Sequence, residues 1–442
     1  MTLEDEPSKM SQPGTGANRS YEAVWRIESA RVIAALARRT GDVGLAEDLA
    51  HDAFVSALEQ WPVSGVPQRP GAWLVTVGKR RWFDTLRRKG TLEGKQADLT
   101  RQAEVRQQLT GADFDDVEEE VGDDRLRLIF TACHPVLPRE ARVALTLRLV
   151  AGLTTEEIAR AYLVREAAVA QRVVRAKRSL SAARVPFALP PANQLEERLD
   201  AVLEVVYLVF NEGYAATAGE RWARPELCHE ALRLGRIIAE LLPAEPEVHG
   251  LVALMELQAS RLRARVGPGG EPVLLADQDR SRWDPLLVRR GIAALDRASD
   301  LARLLGNGRG LGPYGLQAAI AACHARAATL AATDWVRICA LYEALAQVAP
   351  SPVVELNRAV ALSMAYGPEA GLEVVDSLVP DPLLAGYYLL PSVRGDLLAK
   401  LGRFEEARAD LERAASLTRN EREQKLLLDR AARMPPPSPP RS

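Results

Sequence analysis

The sequence predicts an all-α protein, on two main observations. Apolar residues recur at spacings of three and four through most of the 442 residues, whereas the alternation typical of strands is scarce. Alanine, leucine and arginine, which favour helices, are abundant. A chain of this length has room for two or three domains. Its 57 basic and 59 acidic residues nearly cancel, so only the local distribution of charge can indicate a partner.

Residues 21–92 are predicted to form a compact helical domain. Two helices flank the break at Gly41, and a third follows the Pro- and Gly-containing loop 61–70. Residues 1–20 are polar and lack the order of a signal peptide, so we expect a disordered, untargeted tail. No uncharged apolar run reaches membrane-spanning length, and the 4 cysteines stand far apart, which favours a cytoplasmic protein with reduced thiols.

The rest of the chain is predicted to hold an acidic linker and two further helical bodies. Residues 93–122 form the linker, because GADFDDVEEEVGDD (111–124) has eight acidic residues and no basic one; a plain solvated spacer is the alternative. Helices resume in 123–184, and the three prolines of VPFALPPAN mark the next boundary. A larger helical body (193–434) and a Pro-rich tail (435–442) follow.

Two segments of the larger body indicate a helical repeat. VVELNRAVALSMAYGPEAGLEVVDSL and LLAKLGRFEEARADLERAASL each combine a helix, a Gly-containing turn and a second helix. Their turns, at Gly367 and Gly402, lie some 35 residues apart, the period of tetratricopeptide-type repeats. The charged cluster DQDRSRWD (277–284) in the same body has three open interpretations: a helix cap, an interdomain contact or a small-molecule site.

The stretch TTEEIARAYLVREAAVAQRVVRAKRSL (154–180) predicts two helices joined by a tight turn. Thr154 and Glu157 form a capping box for the first helix. The second helix should bury Val169, Val173, Ala176 and Leu180, and it carries a net charge of +4 between residues 165 and 178. Its other face suits phosphates and base edges. A solvated basic helix is the alternative. The candidate DNA contacts are Arg165, Ala168, Gln171, Arg172, Arg175 and Arg178.

An acidic stripe marks the second helix of the first domain. Asp48 and Asp52 stand four residues apart, a like-charge pair that is unfavourable unless a cation faces it. No Lys or Arg occurs between Asp42 and Gln68. With Phe54 at its edge, the stripe predicts a docking surface for a basic partner helix; a solvated face is the alternative.

The third helix interleaves basic and aromatic residues. This pattern suits single-stranded nucleic acid, because bases stack on rings while phosphates meet cations. The preceding loop could form a pocket for an extruded base. Some of the aromatic residues must belong to the core, Trp73 above all. The candidate contacts are Trp73, Lys79, Arg80, Arg81, Trp82, Arg87 and Arg88.

Catalytic and metal chemistry finds no support in the sequence. Three Cys-His dipeptides begin at Cys133, Cys228 and Cys323, but they stand roughly 95 residues apart, and adjacent helical residues point about 100° apart. We therefore expect buried thiols and no zinc. No Walker loop, GxGxxG, GxSxG or HExxH motif is present. The sequence predicts neither an enzyme nor a cofactor.

Several stretches together resemble a known family. AEDLAHDAFVSALEQWP, PGAWLVTVGKRRWFDTLRR and LTTEEIARAYLVREAAVAQRVVRAKRSL resemble, in order and spacing, bacterial RNA polymerase sigma factors of the extracytoplasmic-function group. FNEGY (210–214), DQDRSRWD and GPYGLQAAIAACHA (312–325) are similar to the subgroup with a large C-terminal tetratricopeptide-like extension. The resemblance covers nearly the whole chain after Tyr21. It implies two small sigma domains joined by the acidic linker and followed by a helical regulatory domain.

The resemblance also implies a role for each candidate surface. Asp48, Asp52 and Phe54 would dock on the clamp coiled coil of the polymerase largest subunit. The loop 61–70 and the third helix would open the minus-ten element and hold its non-template strand. The helix-turn-helix would read the minus-35 element, and the flap of the second-largest subunit is a further implied partner. Because the family often has Asn where Arg80 stands, a phosphate contact is implied there. The acidic linker would thread the polymerase channels that nucleic acid later occupies.

The predicted function is therefore that of a cytoplasmic sigma factor. It would bind core RNA polymerase and promoter DNA, contact no membrane and perform no catalysis itself. The fused C-terminal domain would regulate it, with an unknown regulator as a possible partner, and either inhibition or support is compatible with the sequence. Two alternatives remain: a helix-turn-helix activator or repressor with a ligand-binding solenoid, and a repeat scaffold whose basic helices are merely solvated.

Overall fold

The computed structural model of the protein describes residues 14–93, 117–162, 164–215, 218–219, 222–305 and 310–435. Within these ranges the chain forms eighteen α-helices, which confirms the predicted fold class. Two-residue strands are the exception: β1 (Ala218–Gly219) pairs in parallel with β2 (Arg419–Asn420). The chain divides into two compact units, which we call unit 1 (Met1–Arg160 with Val164–Val205) and unit 2 (Ala161–Leu163 with Val206–Ser442).

Unit 1 opens with three mutually packed helices, α1 (Gly14–Thr40), α2 (Val43–Ser64) and α3 (Pro70–Glu93). Asp42 begins α2, because its side chain accepts from the N–H groups of Gly44 at 2.7 Å and Leu45 at 3.0 Å. Trp61 is fully buried and has edge or tilted ring contacts with Tyr21 and Trp73. These contacts fix the end of α2 against α1 and α3.

The loop between α2 and α3 is shorter than the sequence predicts. Helix α2 continues through Trp61 to Ser64, so the connection is 65–69 and not 61–70. Gly65 ends the helix: its φ is +79°, a value that favours glycine, and its N–H donates to the carbonyl of Trp61 at 2.9 Å. Burial of Trp61 outweighs the loop signals of the sequence around it.

Two other boundaries also differ from the expectation. Helix α1 begins at Gly14, inside the stretch expected to be a disordered tail, and a further helix begins at Val117, inside the expected acidic linker. Acidic residues stabilise a helix N-terminus through the macrodipole, so an acidic run need not remain extended. The remaining parts of the expected tails and linker (1–13, 94–116 and 436–442) lie outside the described residues.

The second half of unit 1 contains α4 (Val117–Ala132), α5 (Arg139–Leu149), α6 (Thr155–Tyr162, of which the last two residues fall in unit 2) and α7 (Glu166–Ala182). Helix α4 packs on α1, and α5 packs on α7. The predicted capping box is confirmed: Glu157 N–H donates to Thr154 Oγ1 at 3.0 Å, and Thr154 N–H donates to Glu157 Oε2 at 2.8 Å. Helices α6 and α7 form the predicted helix-turn-helix.

Unit 2 is a succession of helices. They are α8 (Ala192–Tyr214), which crosses the boundary between the units, α9 (Pro225–Leu241), α10 (Pro246–Ala259), α11 (Pro285–Leu304), α12 (Pro313–Arg326), α13 (Trp335–Val348), α14 (Pro352–Tyr366), α15 (Pro368–Leu378), α16 (Leu389–Lys400), α17 (Phe404–Leu417) and α18 (Glu421–Ala432). Six of them begin with proline, whose fixed φ suits the first helical position. From α12 to α18 each helix packs on the next one.

Small residues let these consecutive helices approach closely. A Cβ on Gly371 of α15 would lie 2.7 Å from the carbonyl oxygen of Ala359 on α14, and one on Gly395 of α16 would lie 3.0 Å from that of Ala407 on α17. The predicted turn glycines, Gly367 and Gly402, have φ values of +104° and +74°. The repeated pairing agrees with a helical repeat, while the tetratricopeptide assignment stays a prediction.

Candidate nucleic-acid interface

Helix α7 separates an apolar face from a basic one. Val169, Val173, Ala176 and Leu180 are all buried, as predicted. Of the six candidate DNA contacts, Ala168 is half-buried and the other five are exposed: Arg165, Gln171, Arg172, Arg175 and Arg178. Within the described ranges no carboxylate pairs with these arginines. A rigid, packed helix therefore presents uncompensated cations to solvent.

Helix α3 uses several of its candidate residues internally. Trp73 is half-buried, with its ring centroid 5.6 Å from that of Trp61, so it belongs to the core of the three-helix domain. Arg81 was a candidate DNA contact, but its Nη1 lies 3.3 Å from Asp52 Oδ2 and its Nη2 donates to Ser56 Oγ at 2.8 Å. Arg81 therefore joins α3 to α2.

The remaining candidates on α3 are more accessible. Arg80 and Arg87 are exposed, and Arg87 pairs with Asp84 at 2.8 Å. The Trp82 ring lies 5.1 Å from that of Phe83. Burial lowers the pKa of the half-buried Lys79, and the nearby Arg39 and Arg38 lower it further, so three cations gather here. The side chain of Arg88 lies outside the described part of the chain.

Asp48 and Asp52 form an exposed acidic stripe on α2. Their side chains are 76% and 57% exposed, and each has a cation nearby: Lys177 Nζ lies 3.6 Å from Asp48, and Arg81 lies 3.3 Å from Asp52. Phe54 lies apart from the stripe, because it follows Asp52 by two residues and therefore points about 200° away from it around the helix axis. Its ring stacks on Trp25 of α1 at 4.8 Å, a residue that the sequence reasoning missed.

Glu47, next to this stripe, is a second residue that sequence reasoning missed. It is buried, accepts from Arg148 Nε at 2.8 Å and pairs with Lys177 Nζ at 2.5 Å. Burial alone would raise the pKa of its carboxyl, but Lys177 and Arg148 outweigh this and lower it. Arg148 also donates Nη2 to His51 Nε2 at 2.8 Å. No local pattern predicts this cluster, since Arg148 is 101 residues from Glu47.

The three Cys-His dipeptides do not converge on one site. Cys133 lies 3.3 Å from Thr146 Oγ1, and Cys228 donates to the carbonyl of Phe210. Burial raises the pKa of Cys133 to about 11 and that of Cys228 to about 12, so both stay protonated near neutrality. Among the described residues no group of three or more potential ligands could hold a metal. In the same part of the chain, every helix is too short or too polar to cross a membrane.

The cluster DQDRSRWD has a structural role in unit 2. Asp284 caps α11 by accepting from the N–H of Leu286 at 2.9 Å. Arg280 donates to the carbonyls of His324 and Ala327, and its guanidinium lies 4.9 Å from the ring of the buried Trp283. Of the three interpretations left open by the sequence, these contacts favour the helix cap.

Comparison with known families identifies both halves of unit 1. Residues 26–91 match the model of sigma-70 region 2, and residues 127–180 match that of sigma-70 region 4. The chain is a sigma factor of the sigma-70 family. These matches, together with the extracytoplasmic-function relative described below, confirm the resemblance, with region 2 on α1–α3, region 4 on α4–α7 and a C-terminal extension after them. Residues 198–299 of the extension match a family of unknown function, DUF6596.

Individual relatives agree with this assignment. An uncharacterized protein of Rhizobium meliloti, R00370, is 44% identical over 396 residues, which are 88% of this sigma factor and 90% of that protein. A protein of Mycobacterium tuberculosis named probable ECF RNA polymerase sigma factor SigI is 26% identical over 170 residues, 38% of this chain and 57% of its own. No solved structure matches. Sigma factors act in transcription initiation with core RNA polymerase and promoter DNA, and they are not enzymes.

Proposed function

We propose that this sigma factor divides promoter recognition between α7 and α3. Helix α7 reads the minus-35 element in the major groove, and the observation that supports this most is its exposed, carboxylate-free basic face opposite a buried one. Gln171 and Arg175 have the side chains that make bidentate contacts to purines. Arg165, Arg172 and Arg178 contact phosphates, and the small side chain of Ala168 permits close approach.

Helix α3 and the loop 65–69 hold the melted minus-ten strand in this proposal. Lys79, Arg80, Arg87 and Arg88 meet phosphates, while Trp82 stacks on a base. The half-buried Lys79 lies near Arg39 and Arg38, of which Arg38 pairs with Asp124 at 3.2 Å, so Lys79 adds to the positive charge of this surface. The contacts of Trp73 and Arg81 support a different role, since both residues hold the domain together beneath the strand.

Helix α2 is the proposed attachment point for the polymerase. The exposed carboxylates of Asp48 and Asp52 suit the basic clamp coiled coil of the largest subunit, and the Phe54–Trp25 stack, on a different side of α2, provides a separate apolar contact. Region 4 contacts the flap of the second-largest subunit. The extension regulates these steps in the cytoplasm through an unidentified regulator. The acidic linker (93–122), of which the residues from Val117 onward belong to α4, threads the polymerase channel.

Run-off transcription with purified core polymerase tests the proposal. The full-length chain should direct transcription from promoters at which core polymerase alone does not initiate. The double variant Asp48→Lys and Asp52→Lys should lose core binding, because it reverses the charge that meets the clamp, while Asp84→Lys on α3 is the matched reversal and should retain it. Circular dichroism spectra of both variants serve to check that each one is folded.

Two results would contradict the proposal. Normal core affinity of the double variant would refute the assignment of α2. Tight, specific binding of the chain alone to duplex DNA as a dimer, without any transcript in the presence of core, would favour a helix-turn-helix activator or repressor instead.

A further inference from the structure

The ring of Trp283 in unit 2 lies against two guanidinium groups. Arg261 follows α10 and Arg280 belongs to DQDRSRWD, and their Cζ atoms are 5.3 and 4.9 Å from the centre of the Trp283 ring. The ring is buried, with 7% of Trp283 exposed. The face of an indole attracts a cation but carries no net charge. Stacking on Trp283 therefore leaves the two positive charges uncompensated.

Arg261 has only neutral hydrogen-bond acceptors. Its Nε donates to Gln278 Oε1 at 3.3 Å, and its Nη1 donates to Gln258 Oε1 at 3.2 Å. In the described part of unit 2, no carboxylate lies within ion-pair distance of Arg261, which is 9% exposed. A guanidinium that is removed from water to this extent ordinarily has an anionic partner.

Arg280 likewise donates to neutral groups. Its Nη1 donates to the carbonyls of His324 and Ala327 at the end of α12. No carboxylate among the described residues pairs with it. The carboxylates of Asp279 and Asp284, in the same stretch, each accept from a backbone N–H group at 2.9 Å instead. The helix caps therefore account for the aspartates of DQDRSRWD and leave Arg280 without a counter-charge.

Two buried nitrogen atoms beside these arginines have no hydrogen-bond partner within the described ranges. They are Trp283 Nε1 and His324 Nδ1, and 8% of His324 is exposed. Burial lowers the pKa of His324 to about 4, and Arg261 and Arg280 lower it further, so the ring is neutral near pH 7 and can present an N–H. A buried donor ordinarily has an acceptor. The two rings and the two guanidiniums thus share one deficit, the lack of a negatively charged acceptor.

A third cation adds to the positive charge. Burial lowers the pKa of Arg261, and the nearby Arg265 and Arg280 lower it further. Burial raises the pKa of the Glu423 carboxyl against the opposing effects of Tyr388 and Arg265. Within the part of the chain that the structure describes, Glu423 forms no ion pair with any of the three arginines. The described residues therefore leave a net positive charge around Trp283.

We propose that Arg261, Arg280, Trp283 and His324 form a binding site for a small oxyanion, the phosphate or carboxylate group of a metabolite. We call these four residues the oxyanion site. A guanidinium presents parallel N–H donors that match the oxygens of either group. The indole and imidazole N–H groups supply further donors. Arg280 is half-buried whereas the other three residues are buried, so the ligand enters beside Arg280.

The burial of the oxyanion site favours a small ligand over a phosphate of nucleic acid, because a polymer needs an open groove. The site lies wholly in unit 2. It shares no residue with the proposed DNA-binding or polymerase-binding sets. The proposal therefore goes beyond the function proposed for α2, α3 and α7 and does not depend on it.

Titration of the full-length protein with inorganic phosphate and with acetate tests the site. Ionic strength is held constant with sodium chloride. We expect saturable heat in isothermal titration calorimetry and a matching rise in unfolding temperature, because a ligand that binds the folded state stabilises it. Saturation by phosphate alone identifies a phosphate group as the ligand, saturation by acetate alone identifies a carboxylate, and saturation by both supports their shared chemistry. Saturation by neither probe, up to tens of millimolar, overturns the proposal.

Two arginine variants locate the bound anion. Arg280→Gln should weaken the affinity for the saturating probe at least about tenfold, because it removes a charge-assisted pair. Arg282→Gln removes the same charge from an exposed neighbour in the same stretch and should bind as the wild type does. Phosphate also stabilises proteins through exclusion from their surface, so the difference between the two variants decides. Equal affinity of the two variants would place the anion elsewhere and would overturn the site.

Trp283→Phe provides a second measurement that leaves the charge unchanged. It keeps a ring against Arg261 and Arg280 and removes the Nε1–H, so the affinity for the probe should fall about tenfold. Each variant is compared with and without the probe, so a general loss of stability, which a purely structural role would cause, does not affect the result. Wild-type affinity in Trp283→Phe would contradict the oxyanion site, including the case in which Arg280→Gln fails to fold.

Discussion

Helices α3 and α7 are both rich in arginine and free of long acidic runs, but their cations have different surroundings. On α7 the four candidate arginines are exposed and have no carboxylate partner among the described residues. On α3, Arg81 is engaged by Asp52 and Ser56, Arg87 by Asp84, and Lys79 is half-buried. Arginine content therefore identifies a basic helix, whereas packing decides which cations remain available to DNA.

The largest expected effect concerns the free cations of α7. Arg175→Ala should lower promoter-specific transcription about 5- to 150-fold, because a bidentate base contact is worth about 1–3 kcal/mol. The loss should be confined to promoters with the preferred upstream sequence, measured by run-off on templates with single substitutions in the minus-35 element. Arg184→Ala is the control. A uniform loss on all templates would indicate a phosphate contact instead.

A second prediction separates two neighbours on α3. Arg81→Ala should lower the stability of region 2 by about 1 kcal/mol, because it breaks a partly exposed ion pair and a hydrogen bond to the buried Ser56. Arg80→Ala should leave stability unchanged and weaken binding of single-stranded minus-ten DNA. Urea unfolding and fluorescence anisotropy measure the two effects. Equal stability of both variants would remove the distinction between engaged and free cations.

The third prediction concerns pH and the contact between regions 2 and 4. Burial lowers the pKa of His51, and the facing Arg148 and Lys177 lower it further against the opposing effect of Glu47. His51 thus binds a proton less readily in the folded state than in the unfolded state. It therefore contributes stability at pH values above its ordinary pKa of about 6.5, and this stability is lost on acidification.

Stability should therefore decline as pH falls from about 7 through the lowered pKa of His51. The decline should stay below about 1 kcal/mol, since the side chain is partly exposed. His51→Gln should flatten the dependence in urea unfolding measured at several pH values. A variant as pH-sensitive as the wild type over this range would assign the dependence to other groups.

The smallest effect should come from Arg87. Its pair with Asp84 is largely exposed, so Arg87→Ala should change stability by less than about 0.5 kcal/mol. Loss of one phosphate contact should reduce the slope of log binding constant against log salt by about 1. Salt titrations of DNA binding measure this slope. The converse variant is Asp84→Asn, which removes the charged partner and leaves Arg87 in place. An unchanged slope would place Arg87 outside the DNA path.

The sequence predicted best those features that depend on one helix. The buried face of α7, from Val169 to Leu180, and the capping box of Thr154 follow from local periodicity and local hydrogen bonds, and both are confirmed. The predicted end of α2 was wrong, because the local turn signals do not reveal that Trp61 is buried in contact with Tyr21 and Trp73.

Features that depend on distant residues were not predictable in the same way. Glu47 and Asp48 are adjacent in sequence, but Glu47 is buried against Arg148 and Lys177, whereas Asp48 is exposed. Nothing in the local sequence distinguishes the two carboxylates, since the cations come from about 100 and 130 residues later in the chain. The role of Arg81 was missed for the same reason: its partners lie on a neighbouring helix.

A footprint of the full-length protein with core polymerase on promoter DNA tests the central claim most directly. We expect simultaneous protection of the minus-35 and minus-ten elements with a melted downstream strand, and selective loss of the upstream protection in Arg175→Ala. Protection of one element alone, or the same footprint without core polymerase, would contradict the account of a promoter reader divided between α7 and α3.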